Sequence, residues 1–216
     1  MKIGLRAGHS KNCRGANGLR DEWESMNTLY SEVERVLEDN GHTVVNCNSS
    51  ASTVNGELSE GANKANSEGV DLFISLHMNC YNGSANGTEA LTWGESSRAN
   101  VYANRMCENF AKLGFYNRGL KYQPNFYEMR HVDAPNIIFE TCFCDSQKDI
   151  DIWSPTPWET LARAIANAID PDISLDKEEI KKKYQVRVYT FTEKEDAEKA
   201  SKEIDNLGYY NSIEEI

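Results

Sequence analysis

The chain lacks any run of apolar residues approaching the ~20 needed to cross a bilayer as a helix. Its first residues, Met1-Lys2-Ile3-Gly4-Leu5-Arg6, hold no apolar stretch long enough for a secretory signal, and strand-forming residues begin at once. Basic charge is also in deficit. A formal net charge of −11 and a pI near 4.9 are the opposite of a nucleic-acid-binding face, and they disfavour an anionic membrane surface. The six cysteines (Cys13, Cys47, Cys80, Cys107, Cys142, Cys144) lack the spacing of a small disulfide scaffold. They are expected to be reduced thiols, most of them buried. Cys142-Phe143-Cys144 is answered by no second pair, and paired zinc cysteines usually stand two to four residues apart, so it reads as structural. A protein made in the cytoplasm is expected, without membrane insertion and without a nucleic-acid partner.

What is present is ordinary globular composition: 216 residues, 39% hydrophobic and 26% charged, enough for one domain with at most a small appendage. Ile3 to Ala7 alternates as a strand, and a Gly/Asn-rich loop runs from Ser10 to Gly18. A helix is expected from about Asp21 to Asn40, with Met26, Leu29, Tyr30, Val33, Val36 and Leu37 as its apolar stripe. Further strands are expected at His42 to Cys47, Asp71 to His77, Gly87 to Trp93, Phe126 to Arg130 and Asn136 to Thr141. Helices are expected at Asn55 to Glu68, Ser96 to Leu113 and Trp158 to Ile169. Strands alternating with helices of this length imply an α/β fold: a single twisted, mostly parallel sheet with helices on both faces.

Asp170-Pro171-Asp172 ends that pattern, so residues 1–170 read as the main domain and 171–183 as a charged linker. Residues 184–216 read as a small βα(β) appendage, with a strand from Tyr184 to Thr192 and a helix from Glu193 to Leu207. A unit that small buries little core alone, so it must pack on the main domain or pair with a partner.

Three ligand-type residues stand at expected strand ends: His9 after the first strand, His77 after an apolar run from Asp71, and Glu140 after Asn136-Ile137-Ile138-Phe139. Ligands bind at the carboxyl edge of open α/β sheets. Glu22 opens the first helix. At about 100° per residue it shares the face of Met26, Leu29 and Val33, whereas Glu24 points away. A carboxylate on a buried face costs several kcal/mol unless it is paired or holds a metal. Two histidines and one glutamate match a catalytic zinc with an open position, and the remaining glutamate would be the general base. Asn79 shares its strand face with Ser75 and His77 and is a candidate substrate contact. His131, in a loop expected near the same edge, is a second. Trp93, Tyr122, Phe126 and Tyr127 are expected to pack in the core rather than line a groove.

The Gly-His after strand one, the Glu opening helix one, Leu-His-Met-Asn at 76–79 and Ile-Phe-Glu-Thr at 138–141 with the following Asp resemble, in order, the motifs of the zinc-dependent N-acetylmuramoyl-L-alanine amidases. The resemblance spans about residues 1–170. It implies His9, Glu22 and His77 as ligands of one zinc ion, Glu140 as the catalytic acid/base, and bacterial peptidoglycan as the substrate. The bond implied is the amide between N-acetylmuramic acid and L-alanine, hydrolysed by zinc-activated water. Arg6-Ala7 departs from the acidic-proline pair that many members carry. A zinc peptidase acting on stem peptides, or a non-catalytic wall-binding protein, are the alternatives. The unexported chain resembles a phage endolysin or a mother-cell lytic amidase, released by a holin or by lysis. Residues 184–216 resemble half of a sporulation-related repeat, and self-association through its open strand edge is a further expectation.

Overall fold

The apolar runs around Ile3, Phe73 and Ile138 become the middle of one six-stranded sheet. A computed structural model describes residues 1–176 and 192–206. In chain order the elements are β1 (Lys2–Arg6), α1 (Glu22–Asp39), β2 (Thr43–Asn46), α2 (Val54–Glu68), β3 (Leu72–Asn79), β4 (Thr88–Thr92) and α3 (Asn100–Lys112). They continue with β5 (Asn117–Tyr122), α4 (Tyr127–His131), β6 (Asn136–Phe143), α5 (Gln147–Trp153), α6 (Trp158–Ile169) and α7 (Lys194–Asn206). The sheet order is β2-β1-β3-β6-β4-β5. Every neighbouring pair is parallel except β4 with β6, which is antiparallel. The fold is therefore α/β with a mostly parallel sheet and helices around it.

Alternation along the central strands assigns the two faces. Leu72, Ile74 and Leu76 of β3, with Ile137 and Phe139 of β6, join the main core beneath α1, α3 and α6. Phe73 points the other way, into a smaller cluster with Ala62 and Ala65 of α2. Asp21 caps α1 by accepting from the Glu24 amide, and Thr53 caps α2 through Gly56, each worth roughly 0.5–2 kcal/mol. All six cysteines are free, and four of them are buried. No helix among the described residues is long and apolar enough to cross a membrane.

Three local expectations are corrected. Phe126 to Arg130 is not a strand. Residues 127–131 form helix α4, in which the adjacent Glu128 and Met129 are both buried, a pairing that strand alternation forbids. Asn117–Tyr122 is a strand that sequence reading passed over, because its edge position and Arg-Gly-Leu-Lys composition hide the apolar pattern. Trp93, Tyr122 and Phe126 are 51%, 44% and 44% exposed, so they do not fill the core.

The chain divides into compact units Met1–Glu178 and Glu179–Ile216. In the first, Ile173 is buried and Leu175 packs beside the core. In the second, helix α7 is described, with acidic residues in its first turn. The strand expected over 184–192 and the turn after 207 lie outside the described residues.

Candidate active site

Parallel pairing of β1, β3 and β6 carries their carboxyl ends to one edge of the sheet, where open α/β sheets form clefts. His9 follows β1 in a turn that starts at Gly8, whose φ is +76°. A Cβ on Gly8 would run into the His77 ring and the Leu76 carbonyl. Gly15 bears on His9 and Glu22 in the same way, so both loops approach the site as bare backbone. His77 and Glu140 lie within their strands rather than at their ends, and they are direct cross-strand partners. Glu89 of β4 pairs with Glu140 from the other side. His77, Glu140 and Glu89 thus form one row on the sheet face shared with Phe73, Ile138 and Leu91.

Glu22 is buried at the start of α1, and Glu24 is exposed. One Glu22 oxygen accepts from the Met78 amide at 3.1 Å and lies 3.0 Å from His77 Nδ1. The other accepts from the Ala16 amide at 2.7 Å and lies 3.4 Å from His9 Nε2. The imidazoles meet edge to face at 5.0 Å. Donor atoms of His9, Glu22 and His77 all fall within 4.8 Å of one another. Burial disfavours the Glu22 anion, but hydrogen bonds and charge from His77 and His9 outweigh it and hold the carboxyl well below its ordinary range.

Sequence reading missed Glu57. It is buried on α2 with Oε1 3.0 Å from His9 Nδ1, on the far side of the ring from Glu22. The signal was available: Glu57 stands four and eight residues before Gly61 and Ala65, both buried on the same helix face. Burial alone would lower the His9 pKa, but Glu22 and Glu57 outweigh it and raise it to about 9. His77 is raised too, its burial overcome by Glu22 and Glu140. Ser75 Oγ lies 3.0 Å from His77 Nε2.

Glu140 is different in kind. Its Oε2 is buried with no hydrogen-bond partner. Burial pushes its carboxyl up, His77 pulls it down, and Glu22 and Glu89 push again, leaving it at about 7. A carboxyl poised there can both accept and return a proton near neutral pH. Two imidazoles, an anionic carboxylate and an unpartnered carboxyl beside them form a donor set that suits zinc with an open position. Glu57 bonded to His9 is the outer carboxylate that commonly orients such an imidazole.

The remaining candidates divide. Asn79 is at the site's edge, donating to Glu89 at 3.0 Å and accepting from the Cys80 amide. His131 is not: it precedes β6, at the opposite edge from Glu140, and stacks on Tyr127 at 4.0 Å. Trp93 and Tyr122 end β4 and β5 at that opposite edge as well, because β4 runs against β6. Asp145 and Asp149 are structural in their contacts. Asp145 accepts from the Tyr81 and Gly83 amides, and Asp149 from Gly87 and Phe143.

The family model for N-acetylmuramoyl-L-alanine amidases matches residues 3–171. The chain belongs to this amidase family. A Clostridium perfringens protein is 33% identical to this amidase-family chain over 175 residues, 79% of this chain and 52% of that one. The N-acetylmuramoyl-L-alanine amidase CwlM of Bacillus licheniformis is 27% identical over 215 residues, 97% of this chain and 83% of that one. Among solved structures, the catalytic domain of the CD27L endolysin targeting Clostridia difficile superposes with a TM-score of 0.73 at 29% identity. That match covers 78% of this chain and 96% of the domain. This amidase-family chain spans about half the length (52% and 54%) of two C. perfringens relatives.

Proposed function

We propose that this chain is a zinc-dependent hydrolase of bacterial peptidoglycan that cleaves the amide between N-acetylmuramic acid and L-alanine. The observation that carries the reading is the convergence of His9, Glu22 and His77 with Glu140 paired directly across from His77. Family membership supplies the bond to be cleaved.

In this reading His9, Glu22 and His77 hold the metal. Bound there, zinc supplies Lewis acidity, polarising a carbonyl and acidifying water. Glu140 takes the proton of the attacking water on its unpartnered oxygen and returns it to the departing L-alanine nitrogen. Its value of about 7 suits both transfers at neutral pH. Glu57 fixes the His9 ring through Nδ1, and the Met78 and Ala16 amides fix both oxygens of Glu22. Arg118 and Lys121 both pair with Glu89, which tempers the upward push that its charge, in register with Glu140, gives that carboxyl. The wall is the place of action, reached by release at lysis as endolysins reach it.

The test is Glu140→Gln. It should keep one zinc per chain by elemental analysis and lose about 10²–10⁴-fold in turnover, the usual worth of a general acid/base. Undiminished turnover would remove Glu140 from the role. Loss of zinc from the variant would make it a ligand instead.

A further inference from the structure

Glu89 holds more positive charge than one carboxylate needs. It is buried on β4, yet Arg118 Nε and Lys121 Nζ both lie 2.5 Å from its Oε2, and Asn79 donates to its Oε1 at 3.0 Å. Two cations, Lys121 and Arg118, thus share the one Glu89 carboxylate, and the Arg118 charge also reaches Asp149. The guanidinium lies over the Phe143 ring at 4.9 Å from its centroid, which fixes its plane. Its Nε is committed to Glu89, and its Nη1 makes a long 3.4 Å contact with the Asn86 carbonyl. The side chain is 30% exposed and lines a cavity of about 270 Å³ with Asn79, Tyr81 and Phe143. Two of its lining residues, Arg118 and Asn79, bond Glu89, the direct cross-strand partner of Glu140.

We infer that Arg118, held by Glu89 and Phe143, forms a subsite for a carboxylate of the stem peptide, on the leaving-group side of the scissile amide. This rests on the amidase reading, which places L-alanine against Glu140. The next stem residue, a γ-linked glutamate, carries a free α-carboxylate unless the wall is amidated there. A planar guanidinium whose terminal nitrogens carry only the long Asn86 contact matches a carboxylate in charge and shape. A carboxamide offers one acceptor oxygen and no charge. The chain should therefore discriminate between walls by the amidation of that residue.

Two N-acetylglucosaminyl-N-acetylmuramoyl tetrapeptides test this, identical except for an α-carboxylate or an α-carboxamide on the second residue. Binding is read by calorimetry on zinc-loaded Glu140→Gln, which needs no turnover. The carboxylate form should bind about tenfold more tightly, and adding Arg118→Gln should erase the difference while leaving zinc content and affinity for the carboxamide form within about twofold. Arg118→Lys should restore part of the preference, because charge returns without the fork. Equal affinity for the two ligands in the Arg118 protein would overturn the subsite. So would an Arg118→Gln loss of the same size on both, which would make Arg118 a structural support of Glu89. Turnover of both muropeptides by the unsubstituted chain is scored separately. Absence of turnover with the preference intact would sink the amidase reading and spare the subsite.

Discussion

Replacing Arg6 by Met tests what the departure from the family's acidic-proline pair does. Arg6 and Glu128 form an ion pair at 2.8 Å with both side chains almost fully buried, 1% and 2% exposed. Arg6 also donates to the Gly8 carbonyl, one residue before His9. Gly61 leaves room for this side chain, since a Cβ there would sit 3.3 Å from it. Removing one partner strands the other charge in the interior, which costs about 3–5 kcal/mol. For a unit the size of Met1–Glu178, with about 2–4 °C of melting temperature per kcal/mol, the fall is roughly 6–20 °C. With a urea slope of about 2 kcal/mol per M, the midpoint drops by roughly 1.5–2.5 M. Tryptophan fluorescence is a suitable assay, because Trp23, Trp93, Trp153 and Trp158 all belong to this unit. Arg6→Met combined with Glu128→Leu leaves no stranded charge and should recover to within about 1–2 kcal/mol, the remainder being the Gly8 hydrogen bond. A single variant losing less than about 1 kcal/mol, or a double variant no better than the single, would refute the reasoning.

Glu22→Ala should abolish stoichiometric zinc, whereas Glu24→Ala should retain it. Equal zinc content in the two would reject the inward placement of Glu22. Zinc binding should tighten as pH rises from 6 to 8. The metal-free His9 carries a proton up to about pH 9, and a ligand nitrogen must lose it, so affinity gains up to about tenfold per pH unit for each proton displaced. A pH-independent dissociation constant in a chelator competition would contradict this. The same raised value stabilises the metal-free protein below its ordinary value of 6.5, a contribution lost as the pH climbs through about 9. Glu57→Gln should weaken zinc binding about 10–100-fold through His9, measured by the same competition.

Much of the site was legible because its carriers are extreme in sequence. β3 and β6 are apolar on both faces, which only buried strands are, so His77 and Glu140 stood out against them. Helical arithmetic put Glu22 inside and Glu24 outside, as the fold has them. The same arithmetic at Glu57 would have found the second buried carboxylate that holds His9. What stayed hidden depends on topology. The antiparallel insertion of β4 between β6 and β5 reverses which end of each strand meets the cleft. It brings Glu89 and Arg118 to the site and sends Trp93 and Tyr122 to the far edge. His131 was misplaced for the related reason that α4 feeds the start of β6, not its end. α4 itself escaped because a five-residue helix with a buried Glu128 has no apolar period to read.

Digesting purified peptidoglycan with the zinc-loaded protein, and identifying the released ends by mass spectrometry, tests the central claim most directly. The account predicts free L-alanine amino termini and peptide-free glycan, absent when Glu140→Gln replaces the parent. New amino termini inside the stem peptide would contradict it, keeping the metal site but assigning it to a different bond.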